Sequence, residues 1–124
     1  MSGKNPTSAE LAILNVLWDR GEASVRDVYD ALYRDQGGGY TTALKMLQLM
    51  HSKGLVERDE SQRAHRFRAR IGREATQRGL LADLARRAFD GSSSQLVLRA
   101  LGDAEVSDEE LASIRALLER LEKD

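Results

Sequence analysis

Residues 40–71 read YTTALKMLQLMHSKGLVERDESQRAHRFRARI, and the change of period inside that stretch decides the architecture. Up to Met50 the apolar residues Ala43, Leu44, Leu47 and Met50 share one broad helical face, in a helix opened by Tyr40-Thr41-Thr42 and ended at Lys53-Gly54. Thr42, Lys45, Gln48, Leu49 and Ser52 lie on the other face. Past Gly54 the period becomes two. Leu55 and Val56 begin a β-prone segment, Asp59-Glu60-Ser61-Gln62 makes a polar turn, and residues 65–71 alternate. On that second strand His65, Phe67, Ala69 and Ile71 point one way while Arg66, Arg68 and Arg70 point the other.

Working towards the N-terminus, Thr7 with Glu10 and Ser24 with Asp27 each have the spacing of a capping box. The first opens a helix over about residues 8 to 19, with Leu11, Leu14, Leu17 and Trp18 at helical spacing and Gly21 as its stop. The second opens a shorter helix carrying Val25, Val28, Tyr29 and Leu32, which ends before Gly37-Gly38-Gly39, read as a flexible connection. Three helices and then a hairpin is the element order of a winged helix, whose third helix enters the major groove while the hairpin reaches the backbone or minor groove nearby.

Towards the C-terminus everything reads as helix. Leu81, Leu84, Ala85, Ala88 and Phe89 form a stripe closed by Asp90-Gly91, and Ser92 to Ser94 offer caps for a segment with Leu96, Val97, Leu98 and Leu101. Ser107 with Glu110 caps a last helix whose Leu111, Ile114, Leu118 and Leu121 fall on a narrow seam. The expected class is mainly α with a small β hairpin. A winged helix-turn-helix over residues 1–72 precedes a helical dimerisation region over 73–124, whose contact residues are Leu81, Leu84, Phe89, Leu98, Leu101, Leu111, Ile114, Leu118 and Leu121.

The 124 residues carry a net charge of −1, so bulk charge argues for neither nucleic acid nor membrane. The distribution is uneven: residues 36–73 hold eight basic and three acidic side chains, and no acid occurs from 61 to 73. That basic stretch covers the two elements that would face phosphate. Taken alone, the arginine run is equally well a solvated strand face. Thr41 and Thr42 fit phosphate contact, helix capping, or both, and Lys45 and Gln48 can reach base edges.

Enzyme chemistry finds little material. With no cysteine, thiol catalysis, disulfides and zinc-thiolate sites are excluded. His51 and His65 are the only histidines, and neither has a carboxylate at ligand spacing, so no metal or other cofactor is expected. Asp108-Glu109-Glu110 is explained by the helix dipole, and the glycine triplet lacks the strand and lysine of a phosphate loop. No run reaches the roughly 18 apolar residues of a membrane span, and the polar start is unlike a signal peptide. A cytoplasmic location and no membrane association are expected.

The sequence resembles the BlaI/MecI/CopY family of penicillinase, methicillin-resistance and copper-responsive repressors. The resemblance rests on TSAELAILNVLW at 7–18, VRDVYDAL at 25–32, YTTALKMLQLMHSKGLVERD at 40–59 and RAHRFRA at 63–69, with a helical tail after them. It implies a winged-helix repressor that dimerises through its C-terminal helices on a dyad operator of double-stranded DNA. The DNA-binding residues it suggests are Tyr40, Thr41, Thr42, Lys45, Gln48, Leu49, Arg63, His65 and Arg66. Penicillinase-type members usually carry Thr in place of Lys45 and Arg in place of Leu49, which implies a different operator. The cysteine-rich tail of the copper branch is missing, which excludes copper sensing by that route. Relief of repression by a membrane sensor protease is a further implication, the cleaved Asn-Phe pair aligning here with Arg99-Ala100. The alternative from another class is a protein-interaction adaptor whose winged helix no longer binds DNA.

Overall fold

The computed structural model describes residues 5–123. The elements run α1 (Ser8–Arg20), β1 (Ala23–Ser24), α2 (Val25–Leu32), a 3-10 turn (Arg34–Gln36), α3 (Tyr40–Ser52), β2 (Val56–Asp59), β3 (Arg66–Ala69), α4 (Arg73–Ala88), α5 (Ser93–Gly102) and α6 (Asp108–Lys123). The chain divides into two compact units between Leu80 and Leu81.

In the first unit both expected capping boxes form. Thr7 Oγ1 accepts from the Glu10 N–H and Glu10 Oε1 accepts from the Thr7 N–H; Ser24 and Asp27 repeat the exchange. Each box satisfies two of the orphan donors of a first helical turn. The strands make one antiparallel sheet in the order β1-β3-β2. β1 is an addition to the hairpin foreseen from the sequence: its two residues pair as Ala23↔Phe67 and Ser24↔Arg66, and two residues are too few to show a period.

The alternation along β3 places Phe67 inside and exposes Arg68. Around Phe67 close Ile13, Leu14 and Leu17 of α1, Val28 of α2, Ala43, Leu47 and Met50 of α3 and Val56 of β2, each at most 2% exposed. Burying the larger of these side chains contributes on the order of 1.5–3 kcal/mol apiece before chain entropy is counted. The expected inward set is trimmed at its edge, since His65 lies outside the strand and is exposed.

Two expectations are corrected. Gly37-Gly38-Gly39 forms a defined turn: Gly37 is left-handed, the Gly38 N–H donates to the Tyr33 carbonyl, and a Cβ on Gly38 would meet the Tyr33 side chain at 3.0 Å. The boundary expected at Gly72 marks only the change from strand to helix. The first turns of α4 stay with the first unit, because Thr76 is buried there, Asn5 Nδ2 donates to the Gly79 carbonyl at 3.3 Å, and Arg73 pairs with Asp19 over the Trp18 ring. Trp18 Nε1 in turn donates to the Ile71 carbonyl.

The second unit is helical throughout. The last turn of α4 closes with the Gly91 N–H on the Ala85 carbonyl, Asp90 and Gly91 both at positive φ. Ser92 caps α5, and Ser107 with Glu110 completes the third foreseen capping box at α6. Ala85 is its only buried apolar residue among those described.

Candidate nucleic-acid interface

One face of α3 is anchored and the other is bare. Ala43, Leu47 and Met50 have no solvent exposure, whereas Thr41, Thr42, Lys45, Gln48 and Leu49 are all exposed. The helix begins after Gly39 with no side-chain cap. The hydroxyls of Thr41 and Thr42 therefore lie inside the first turn rather than capping it. Tyr40, 46% exposed, packs its ring 6.0 Å from that of Tyr29 on α2.

The far end of α3 is tied to α1. Glu10, almost fully buried, accepts from Lys53 Nζ at 2.7 Å with Oε2 while Oε1 holds the Thr7 N–H. Burial opposes ionisation of this carboxyl, but the bonds from Lys53 and Thr7 outweigh it and hold the pKa below its ordinary value. Gly54, left-handed, then turns the chain into β2.

The hairpin sorts its arginines by partner. Arg66 is committed to Glu22, Nε to Oε1 at 2.6 Å, and lies 3.8 Å from Asp27. The family resemblance suggests Arg66 as a DNA contact. In the fold β1 brings Glu22 and the start of α2 beside β3, and the guanidinium is engaged there. Asp27 has a lowered pKa, chiefly through the Ser24 N–H, against the opposing effect of burial and with help from the Ser24 hydroxyl, Arg20 and Arg66. Arg68 Nε donates to Glu57 at 2.9 Å and Arg58 Nε to Glu60 at 2.6 Å. Among the described residues, no carboxylate lies within ion-pair distance of Lys45, Arg63 or Arg70. Arg63 and His65 sit exposed in the segment joining β2 to β3. Arg70, outside the expected contact set, is exposed with its N–H on the Leu55 carbonyl.

In the second unit Leu81, Leu84, Leu98, Leu101, Leu111, Leu118 and Leu121 are exposed, as are Val97 and Leu117, which lie outside the expected seam. Phe89 and Ile114 are half-buried. The described residues hold no cluster of three or more metal-binding side chains, and no helix among them is long and apolar enough to cross a membrane.

The model of the penicillinase repressor family matches residues 6–120. The chain belongs to that family. A curated relative, the transcriptional regulator BlaI of Mycobacterium tuberculosis, is 36% identical over 111 residues, covering 89% of this chain and 80% of the relative. Among solved structures, a MarR family protein from Bacillus stearothermophilus superposes with a TM-score of 0.53 at 21% identity, covering 97% of this chain and 75% of that one. YusO from Bacillus subtilis gives 0.53 at 16%, covering 94% and 74%. A mutant MarR from E. coli complexed with operator DNA gives 0.50 at 18%, covering 94% and 75%. At such identities the likeness is one of fold, the winged helix. As a penicillinase repressor family member the chain is a transcriptional regulator and not an enzyme.

Proposed function

We propose that this repressor acts as a homodimer on a dyad operator, with α3 in the major groove and the hairpin turn against the neighbouring backbone. The observation that carries the reading is the two-sidedness of α3. A helix held by three fully buried residues presents Thr41, Thr42, Lys45, Gln48 and Leu49 to solvent, beside cations at Lys45 and Arg63 with no carboxylate partner among the described residues. Thr41 and Thr42, with hydroxyls not spent on capping, donate to phosphate, as does Tyr40 at the helix start. Lys45 and Gln48 have the chemistry to read purine edges, and exposed Leu49 suits a thymine methyl group. Arg63 and His65 supply backbone contacts from the turn. Arg66 holds the wing in place through Glu22 and Asp27.

Dimerisation is assigned to the second unit, where exposed apolar side chains outnumber buried ones. Relief by a sensor protease would act on α5, which contains Arg99 and Ala100, both exposed. A helical scissile pair must unwind before it enters a protease cleft.

Titrating the protein against a fragment of its own promoter tests the reading. Log affinity should fall linearly with log salt, with a slope of about −0.9 for each phosphate neutralised. Lys45→Ala or Gln48→Ala should reorder operator variants by about 1–3 kcal/mol for each base interaction removed, whereas Arg63→Ala should weaken all sequences alike. Absence of binding at low salt would instead favour an adaptor.

A further inference from the structure

In sequence, residues 61–73 are basic without interruption by an acid. In the fold part of that charge is answered by carboxylates. β2 pairs with β3 so that Glu57 stands opposite Arg68 and Asp59 opposite Arg66, and Glu22, the residue before β1, reaches Arg66 from the other side. These residues line one small hollow together with Phe67: three carboxylates against two guanidiniums. Glu57 and Arg68 are both well exposed, so the pair itself adds little to stability. What it does change is where the Arg68 charge is spent.

We propose that Glu57 restrains Arg68 from DNA phosphate and so keeps down sequence-independent binding, leaving affinity to rest on the base contacts of α3. This rests on the DNA-binding reading above. Sequence-independent affinity scales with the number of phosphates a protein neutralises, and a guanidinium beside its own carboxylate brings the DNA a pair of no net charge, which adds little to that number. Because arbitrary sites vastly outnumber operators in a genome, lowering arbitrary binding raises occupancy of the operator even when operator affinity is unchanged. Glu57 is thus a specificity-determining residue that touches no base.

The experiment is a double-mutant cycle in the full chain: wild type, Glu57→Gln, Arg68→Gln and the pair together. Glu74→Gln serves as control, an exposed carboxylate in the first turn of α4 with no ion pair among the described residues. Each is titrated by fluorescence anisotropy against a duplex of arbitrary sequence and against the promoter fragment, at several salt concentrations. Glu57→Gln should bind arbitrary duplex more tightly than wild type or Glu74→Gln, its salt slope steeper by about 0.9 per protomer. Arg68→Gln leaves the Glu57 carboxylate uncompensated and should bind both duplexes more weakly than wild type, though by less than it weakens Glu57→Gln, and the double variant should return to wild-type behaviour. The proposal is overturned if Arg68→Gln weakens the wild type as much as it weakens Glu57→Gln, since Arg68 would then already sit on phosphate. It is equally overturned if Glu57→Gln gains no more than Glu74→Gln. Should Glu57→Gln fail to fold by thermal melt, Glu57→Ala takes its place in the cycle and the same coupling decides it. Wild type that binds neither duplex at low salt fails the repressor reading itself, a result distinct from the others.

Discussion

The two units solve the burial problem in opposite ways. Among the described residues, the first closes ten apolar side chains, from Ile13 to Phe67, at 2% exposure or less, while the second buries Ala85 alone and leaves nine large apolar residues exposed. Both contain capped, amphipathic helices, so local propensity does not separate them. The difference is that the first unit has a sheet on which its helices close, with Phe67 of β3 in the shared core. A chain of this length stabilises only one such core. The second unit leaves exposed the apolar side chains that the proposed dimer would cover, and on that reading the DNA-contacting and assembling roles divide along the same line.

Removing the second unit is the harshest test of that division. Truncation after Leu80, which keeps Thr76 and Gly79 with the first core, should leave a folded monomer that binds the operator about 10²–10⁴-fold more weakly, since the second half-site is no longer held at high effective concentration. Its salt slope should drop towards half. Sedimentation beside a binding titration checks both, and a truncated chain binding as tightly as the whole would break the comparison.

Matched leucines sharpen it further. Leu47→Ala, at a site with no exposure, should destabilise the first unit by about 2–5 kcal/mol in urea unfolding. Leu118→Ala, half exposed, should leave that transition unmoved and weaken self-association instead. If both variants shift the same transition equally, the two units are one cooperative body.

The smallest effect expected is acid sensitivity. Glu10 and Asp27 have folded pKa values below their ordinary 4.5 and 3.8. As pH falls the unfolded chain takes up protons before the folded one, so their contribution is complete above about pH 5 and disappears as pH drops through the folded values. Thermal melts followed by Trp18, which lies in the first unit, should be level from about pH 7 to about pH 5 and then decline. In the second unit Glu110 is also lowered, by the Ser107 N–H and hydroxyl, but in full exposure, so its share is slight. A first-unit melting temperature still unchanged at about pH 3 would count against the Glu10–Lys53 tie.

Much of this was legible beforehand. The three capping boxes, the ends of α1 and α3, the inward Phe67 and the exposed Lys45 and Gln48 follow from short spacings along the chain. Such spacings are fixed by the geometry of a single helix or strand. Three features did not follow. β1 is too short for a period to show, the glycine triplet becomes ordered through the Tyr33 carbonyl, and the first turns of α4 are captured by Asn5, Asp19 and Trp18.

The sequence by itself determined the order of the helices and the hairpin, the inner face of α3 and the family, because those depend on neighbours along the chain and on motifs read directly. Only the tertiary structure decided which basic residues are available. Arg66 meets Glu22 across 44 positions of sequence, and Arg68 meets Glu57 across 11. Coulomb attraction depends on distance in space alone. A count of charges along residues 61–73 therefore finds a basic strand where the folded sheet carries its own counter-charge.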